Sequence, residues 1–216
     1  MQVSHVRLQF IRHGKAYQSI YEIDLDVEDR EENLVLSQSA RDTARVNDYS
    51  ETSAAEYHRL TLFNCYLRPG QYRVRITLTD RATGKSFEVR RDLLVRDFSG
   101  ENLLISDLQF SRHIKVDSSA SPFVKHFRWI EPNVAHLYGQ FDANLFIYYE
   151  IYNLAPPIAN PPAELVGRES PARPKMSSDS FRVQYVMHDA AGREVKRLSK
   201  VHRKPGTSSV MSMLLP

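Results

Sequence analysis

Arg12-His13-Gly14 closes the alternating run from Val6 to Ile11, and Arg41 follows within Ser37-Gln38-Ser39-Ala40-Arg41-Asp42-Thr43-Ala44. An arginine suits phosphate because its guanidinium presents two parallel donors. The plainer reading of Arg12-His13-Gly14-Lys15 is a polar hairpin turn. Two charge clusters offer different chemistry. Glu22, Asp24, Asp26, Glu28, Asp29, Glu31 and Glu32 are acidic, while Arg193, Lys196, Arg197, Lys200, Arg203 and Lys204 are basic. Opposite charges on matched surfaces favour association, and a head-to-tail contact between copies can build filaments. Two separately solvated faces are the plainer alternative. The basic stretch lacks interleaved aromatics on which bases could stack, which argues against nucleic acid. The aromatics around Phe127 and Trp129 and from Phe146 to Tyr152 could line a carbohydrate site, although alternating Tyr and Phe ordinarily pack a core. The 8 histidines show no H-x-x-x-H or H-E-x-x-H spacing, so no metal is expected. No Gly-rich phosphate loop occurs, and no cofactor is expected. The single Cys65 excludes an internal disulfide framework and a Cys-based zinc site. Its place in the apolar run Leu60 to Leu67 reads as that of a buried structural thiol.

The elements that must position these residues are strands. The most regular stretch is Leu67 to Lys85. Leu67, Pro69, Gly70 and Tyr72 make its opening turn, because Pro69 presets φ and Gly70 tolerates positive φ. Tyr72, Val74, Ile76 and Leu78 then alternate with Arg73, Arg75, Thr77 and Thr79, the pattern of a strand with one buried face. Asp80 to Gly84 turns the chain into a second strand, Ser86 to Val95. Upstream, Val6 to Ile11 reads as a first strand. Ile20 to Val27 is a second strand with an acidic outer face, and Leu34 to Ser39 is its return. Residues 40–55 read as a loop, and Tyr57 to Tyr66 as a further strand. The cluster Asp97-Phe98-Ser99-Gly100 marks a boundary.

Beyond it, Leu103 to Phe110, Pro122 to Asn133, Val134 to Phe141 and Asn144 to Leu154 read as strands. The last is bulky on both faces and is expected to be central. Residues 155–179 are rich in proline and are expected to form a long irregular excursion. Phe181 to Val201 is again a hairpin. It matches Tyr21 to Ala40 as strand, charged turn, strand, and the final Ser208 to Pro216 parallels Leu60 to Pro69. The fold class is thus all-β, with two tandem immunoglobulin/fibronectin-III-like β-sandwich domains. They span residues 1–98 and 99–216, and the second reads either as short of its last hairpin or as a smaller sandwich. No run of 18 apolar residues exists, which excludes a helical membrane span, and the opening residues lack the apolar core of a secretory signal. A net charge of +3 is too small to argue for nucleic acid by itself.

Three stretches carry a resemblance. Leu67, Pro69, Gly70 and Tyr72, then Phe98, Ser99, Ser106 and Asp107, then Tyr148 or Tyr149, Glu150, Tyr152, Asn153 and Leu154 resemble the tandem sandwich region of bacterial GWxTD-domain proteins. The Gly-Trp-x-Thr-Asp segment itself is absent, since the only tryptophan is Trp129. This resemblance implies an exported, extracytoplasmic bacterial protein whose signal peptide is not in this chain. It implies a structural or interaction role, with a protein partner or self-association, and no catalytic residue. Separately, Phe10-Ile11-Arg12-His13-Gly14 resembles the opening motif of the histidine phosphatase superfamily. That likeness implies His13 as phosphorylated nucleophile and Arg12 and Arg41 as phosphate ligands. The superfamily's α/β fold needs long amphipathic helices, which this sequence does not offer, so the phosphohydrolase is the alternative and the non-enzymatic module the main expectation.

Overall fold

A computed structural model describes residues 1–54, 57–136, 138, 144–154 and 179–215. The chain is all-β: 59% of it is strand, in several antiparallel sheets, and no α-helix occurs among the described residues. Among the described residues no helix is long and apolar enough to cross a membrane. The chain divides into two compact units. The first gathers Met1–Asp97 and Val116–Trp129, and the second opens with Phe98–Lys115 and includes Ile130–Pro132.

In the first unit the strands are β1 (Gln2–Ser4), β2 (Ile11–His13), β3 (Ala16–Glu28), β4 (Leu34–Val46), β5 (His58–Leu60), β6 (Gly70–Asp80) and β7 (Ser86–Val95). β3 is the centre. β4 runs along one side of it, and β2 and then β6 share the other side, with β7 beyond β6. β1 and β5 form a separate antiparallel pair. Alternation decides which face is covered. Tyr21, Ile23, Leu25 and Val27 are buried, while Glu22, Asp24, Asp26 and Glu28 between them lie on the other face. The core joins Tyr21 and Ile23 to Val3, Leu8, Ala44 and Leu78. Burial of a side chain like Ile23 contributes roughly 1.5–3 kcal/mol.

Several local expectations are corrected here. Val6 to Ile11 is not one strand: His5–Arg7 form a 3₁₀ turn and only Ile11–His13 pairs with β3. Buried His5 causes this, since its ring stacks on Tyr57 and meets the Glu51 carbonyl at 3.1 Å. Residues 40–46 continue β4 instead of looping, because Ala40, Ala44 and Val46 lie on its inner face opposite Ile23, Ser19 and Tyr17. Tyr57 to Tyr66 shortens to His58–Leu60. Tyr66 is 94% exposed, and Cys65 is exposed instead of buried. An apolar run without a neighbouring strand has no ladder to join.

After Asp97 the strands are β8 (Leu104–Ile105), β9 (Gln109–Val116), β10 (Val124–Lys125), β11 (Arg128–Pro132), β12 (Leu145–Tyr152), β13 (Ser180–His188), β14 (Glu194–Arg203) and β15 (Ser208–Leu215). β12 is central, with β9 and β8 on one side and β15 on the other. Ile147, Tyr148, Tyr149 and Ile151 are buried, so both faces of β12 are covered as its sequence predicts. β13 and β14 form a two-stranded ribbon whose Phe181, Val183, Tyr185 and Leu198 pack against the β12 core. Ser208–Leu215 is a full strand, whereas 61–69 is not, so these two stretches are not equivalent. The expected excursion at 155–179 falls almost entirely outside the described residues, as does half of the strand expected from Val134 to Phe141. The described Val134 and Ala135 form a turn.

The hairpin correspondence is carried by turn chemistry. Asp29 Oδ1 accepts from the Glu31 and Asn33 amides, and Asp189 Oδ1 accepts from those of Ala191 and Arg193. Asp80 Oδ1 does the same for Ala82 and Thr83 in the third hairpin. Each turn then needs a left-handed residue, supplied by Gly192 at φ 78°, Gly84 at φ 69° and Glu32 at φ 63°. A side chain with a Cβ is strained there. Glu32→Gly is expected to stabilise the first unit by about 0.5–1 kcal/mol, measured by chemical denaturation. The loss of the 3.7 Å Arg73–Glu32 contact subtracts little, since both side chains are exposed.

Candidate interaction surface

Arg12 and His13 lie exposed on the short edge strand β2, and the Arg12 Nε–H donates to the Gly14 carbonyl of its own turn at 3.3 Å. Gly14 sits at φ 64°, as a tight turn requires. Arg41 is elsewhere. Arg12 lies opposite Tyr17 and Arg41 opposite Glu22, on the two sides of β3. Five residues of strand separate these positions by roughly 17 Å. The structure therefore does not bring Arg41 to His13, and Arg41 is instead ion-paired with Glu22. The phosphate site expected from these three residues is not assembled.

The acidic row does share one face, and Glu22, Asp26 and Glu28 on it are already engaged. Glu22 pairs with Arg41 and, at 3.3 Å, with Arg81. Asp26 accepts from Ser37 at 2.7 Å and from Arg75 at 3.0 Å, and Arg75 also lies 3.4 Å from Glu28. The Ser37 hydroxyl first, then Arg75, holds the Asp26 carboxyl below the usual carboxylate range. The basic cluster does not share one face. Lys196 and Lys200 lie opposite Met187 and Val183, on the side of the ribbon that packs on β12, whereas Arg197 lies opposite Val186 on the other side. Arg193 and Arg197 are paired locally with Asp189 and Glu194. Spacing in sequence concealed this, because residues an odd number apart in a strand fall on opposite faces.

The chain enters β6 through a bend at Pro69, and Gly70 is already strand without a positive φ. The Tyr72 hydroxyl donates to the Arg68 carbonyl at 2.9 Å, and a Cβ at Gly70 would meet the Tyr72 ring at 3.4 Å. Leu67, Pro69, Gly70 and Tyr72 thus fix where β6 begins. The second group of motif residues also converges on a structural task. Ser106 exchanges hydrogen bonds with the Glu150 backbone, its amide donating at 2.8 Å and its hydroxyl accepting at 2.9 Å. Glu150 accepts from the Tyr148 and Tyr152 hydroxyls, and the Phe98 ring lies 4.6 Å from that of Tyr152. Burial first, then Glu150, pushes the Tyr152 hydroxyl up to about 12. Asn153 reaches the carbonyls of Phe98 and Asn102 at 3.2 and 3.0 Å.

One surface was not singled out by the sequence. β7 is an edge of its sheet: β6 covers one side of it, and no strand pairs with the other among the described residues. Eight of its ten residues are exposed, from both faces, including Phe87 at 58% and Leu94 at 61%. A paired strand of this length ordinarily hides one face. Here Phe87 and Leu93 lie on the face that continues Leu78 and Tyr72, yet remain open. Phe87 also borders a cleft of about 500 Å³ lined by Val3, Leu8 and Leu78, and the Arg7 guanidinium sits 6.0 Å from its ring. On the opposite face Glu88 and Arg90 form a 2.7 Å ion pair. The sequence signal was available in the charged centre Glu88-Val89-Arg90-Arg91-Asp92, which places Arg91 on the nominally inner face.

No family model, curated protein or solved structure matches the chain. Among the described residues, no group of three or more His, Cys, Asp or Glu side chains is placed to hold a metal ion.

Proposed function

We propose that the chain is a non-enzymatic protein-interaction module of an exported bacterial protein, binding an extended segment of a protein partner along β7. The observation that carries this reading is the ten-residue edge of β7, which no strand pairs among the described residues and which is exposed on both faces. Unpaired edge N–H and C=O groups are a template for an added strand, and strand addition takes affinity from main-chain hydrogen bonds and specificity from alternate side chains. The reading includes two tandem immunoglobulin- or fibronectin-III-like sandwiches. Support for the first comes from Tyr72, whose hydroxyl returns to the backbone four residues upstream in the manner of a tyrosine corner. The extracytoplasmic setting rests on the sequence resemblance alone.

Two other readings fare worse. Head-to-tail association of the acidic row with the basic ribbon would have to displace Arg41, Arg75 and Arg81 from carboxylates they already hold. Phosphate chemistry at His13 lacks Arg41. The experiment is selection of a library of extended ten-residue peptides against the whole chain. Selected peptides are expected to alternate apolar and charged residues and to lose binding to a Phe87→Lys/Leu93→Lys variant. Selected peptides that bind this variant as well as the parent would remove β7 as the surface.

A further inference from the structure

Building on the β7 reading, we infer that the strand added to this edge is β7 of a second copy, antiparallel and centred on Val89. A two-fold axis normal to the sheet is the symmetric way to join two identical antiparallel edges, and dimers of this symmetry are the commonest. It keeps inner face continuous with inner face and sets one residue opposite itself. The charges of β7 then discriminate between centres. Centring on Arg90 opposes Arg90 to Arg90 and Glu88 to Asp92. Centring on Glu88, Arg91 or Asp92 opposes that charge to itself. Like charges directly opposite are destabilising. Centring on Val89 opposes Val89 to Val89, Glu88 to Arg90 twice, Phe87 to Arg91 twice and Ser86 to Asp92 twice. Of these centres it alone sets attractive pairs opposite one another with no like charges opposed.

The sheet itself prepares this register. Across its outer face Asp26 lies opposite Arg75, and Arg75 opposite Arg90, so two arginines are adjacent at the edge. Glu88 of the second copy would come next to Arg90, so that the two adjacent arginines have a carboxylate on either side, as Asp26 already provides for Arg75. Phe87 already receives one guanidinium, that of Arg7, in keeping with a second from Arg91 of the other copy. Arg91 points to the inner face, where a charge normally blocks edge pairing. In this register an aromatic ring stands opposite it.

The test is complementation between variants, read by sedimentation velocity across a concentration series. The parent is expected to form a dimer. Glu88→Arg and Arg90→Glu alone should each weaken dimerisation about tenfold or more, because two attractive pairs become repulsive at once. Mixed in equal amounts, the two variants should recover a heterodimer, since every Arg then faces a Glu of the other chain. That recovery cannot come from the pair within one chain, which stays broken in both variants. Circular dichroism of each variant checks that it is folded. A monomeric parent at every concentration, or a mixture that stays monomeric, overturns the inference. If the parent is monomeric while selected peptides still bind β7, the self-pairing falls and the interaction module stands. If neither the second copy nor any peptide uses β7, both fall.

Discussion

Asp42→Ala is expected to lower the stability of the first unit by about 2–3 kcal/mol near neutral pH, because it leaves a buried hydroxyl and a neighbouring guanidinium without their acceptor. Tyr21 is 0% exposed, and its hydroxyl donates to Asp42 Oδ2 at 2.9 Å. Arg59 donates to both oxygens of the same carboxylate, at 3.2 and 3.3 Å. Tyr21→Phe should cost less, about 1 kcal/mol, since it removes donor and desolvation cost together. The double variant should fall well short of the sum, as residues of one network do. pH supplies a second check. Burial opposes ionisation of Asp42, but the bonds from Arg59, Tyr21 and the Thr43 amide outweigh it, so its carboxyl titrates below the usual range. A depressed carboxyl contributes stability above its unfolded pKa, roughly 4, and loses it as pH falls through the folded value. The gap between parent and Asp42→Ala should therefore be constant from pH 6 to 8 and shrink in acid. A gap that widens on acidification would contradict the assignment. Urea denaturation at several pH values measures it.

Asn153→Ala should destabilise the second unit by roughly 2–4 kcal/mol, the sum of two lost side-chain hydrogen bonds and backbone strain. Asn153 sits at φ 59°, a conformation that asparagine tolerates and alanine resists. Asn153→Gly removes the strain but not the loss of the bonds to Phe98 and Asn102, so it should cost about half as much. Equal effects from the two variants would place the whole contribution in the side chain. The same residues hold the segment that opens the unit against the end of β12, so Asn153→Ala should also speed amide exchange at Ser106, whose N–H donates to the Glu150 carbonyl.

Strand content was legible where alternation and turn residues agreed. β3, β6, β7 and the β13–β14 ribbon carry both signals, and β12 showed its central place by being bulky on both faces. Legibility ended where a residue's neighbour in space decides the outcome. The run Leu60 to Leu67 alternates like a strand but has no partner along most of its length. Residues 40–46 look polar, yet they pair because β3 extends far enough to receive them. For the surface, the acidic row was readable because 22, 24, 26 and 28 share a parity. The ion pairs that occupy it were not, since Arg41, Arg75 and Arg81 come from three other places in the chain. The openness of β7 was only partly legible, with Arg91 on its inner face as the sign. Phe87, Val89, Leu93 and Val95 have the spacing of a covered face, yet Phe87 and Leu93 are exposed.

The most direct measurement is amide hydrogen exchange of the whole chain with and without a selected extended peptide. Strand addition at β7 predicts that exchange slows in alternate residues of Ser86–Val95 while the opposite edge, Leu34–Val46, exchanges as before. Protection confined to Leu34–Val46, or absent from both edges while the peptide is bound, would contradict an interaction module that works through β7.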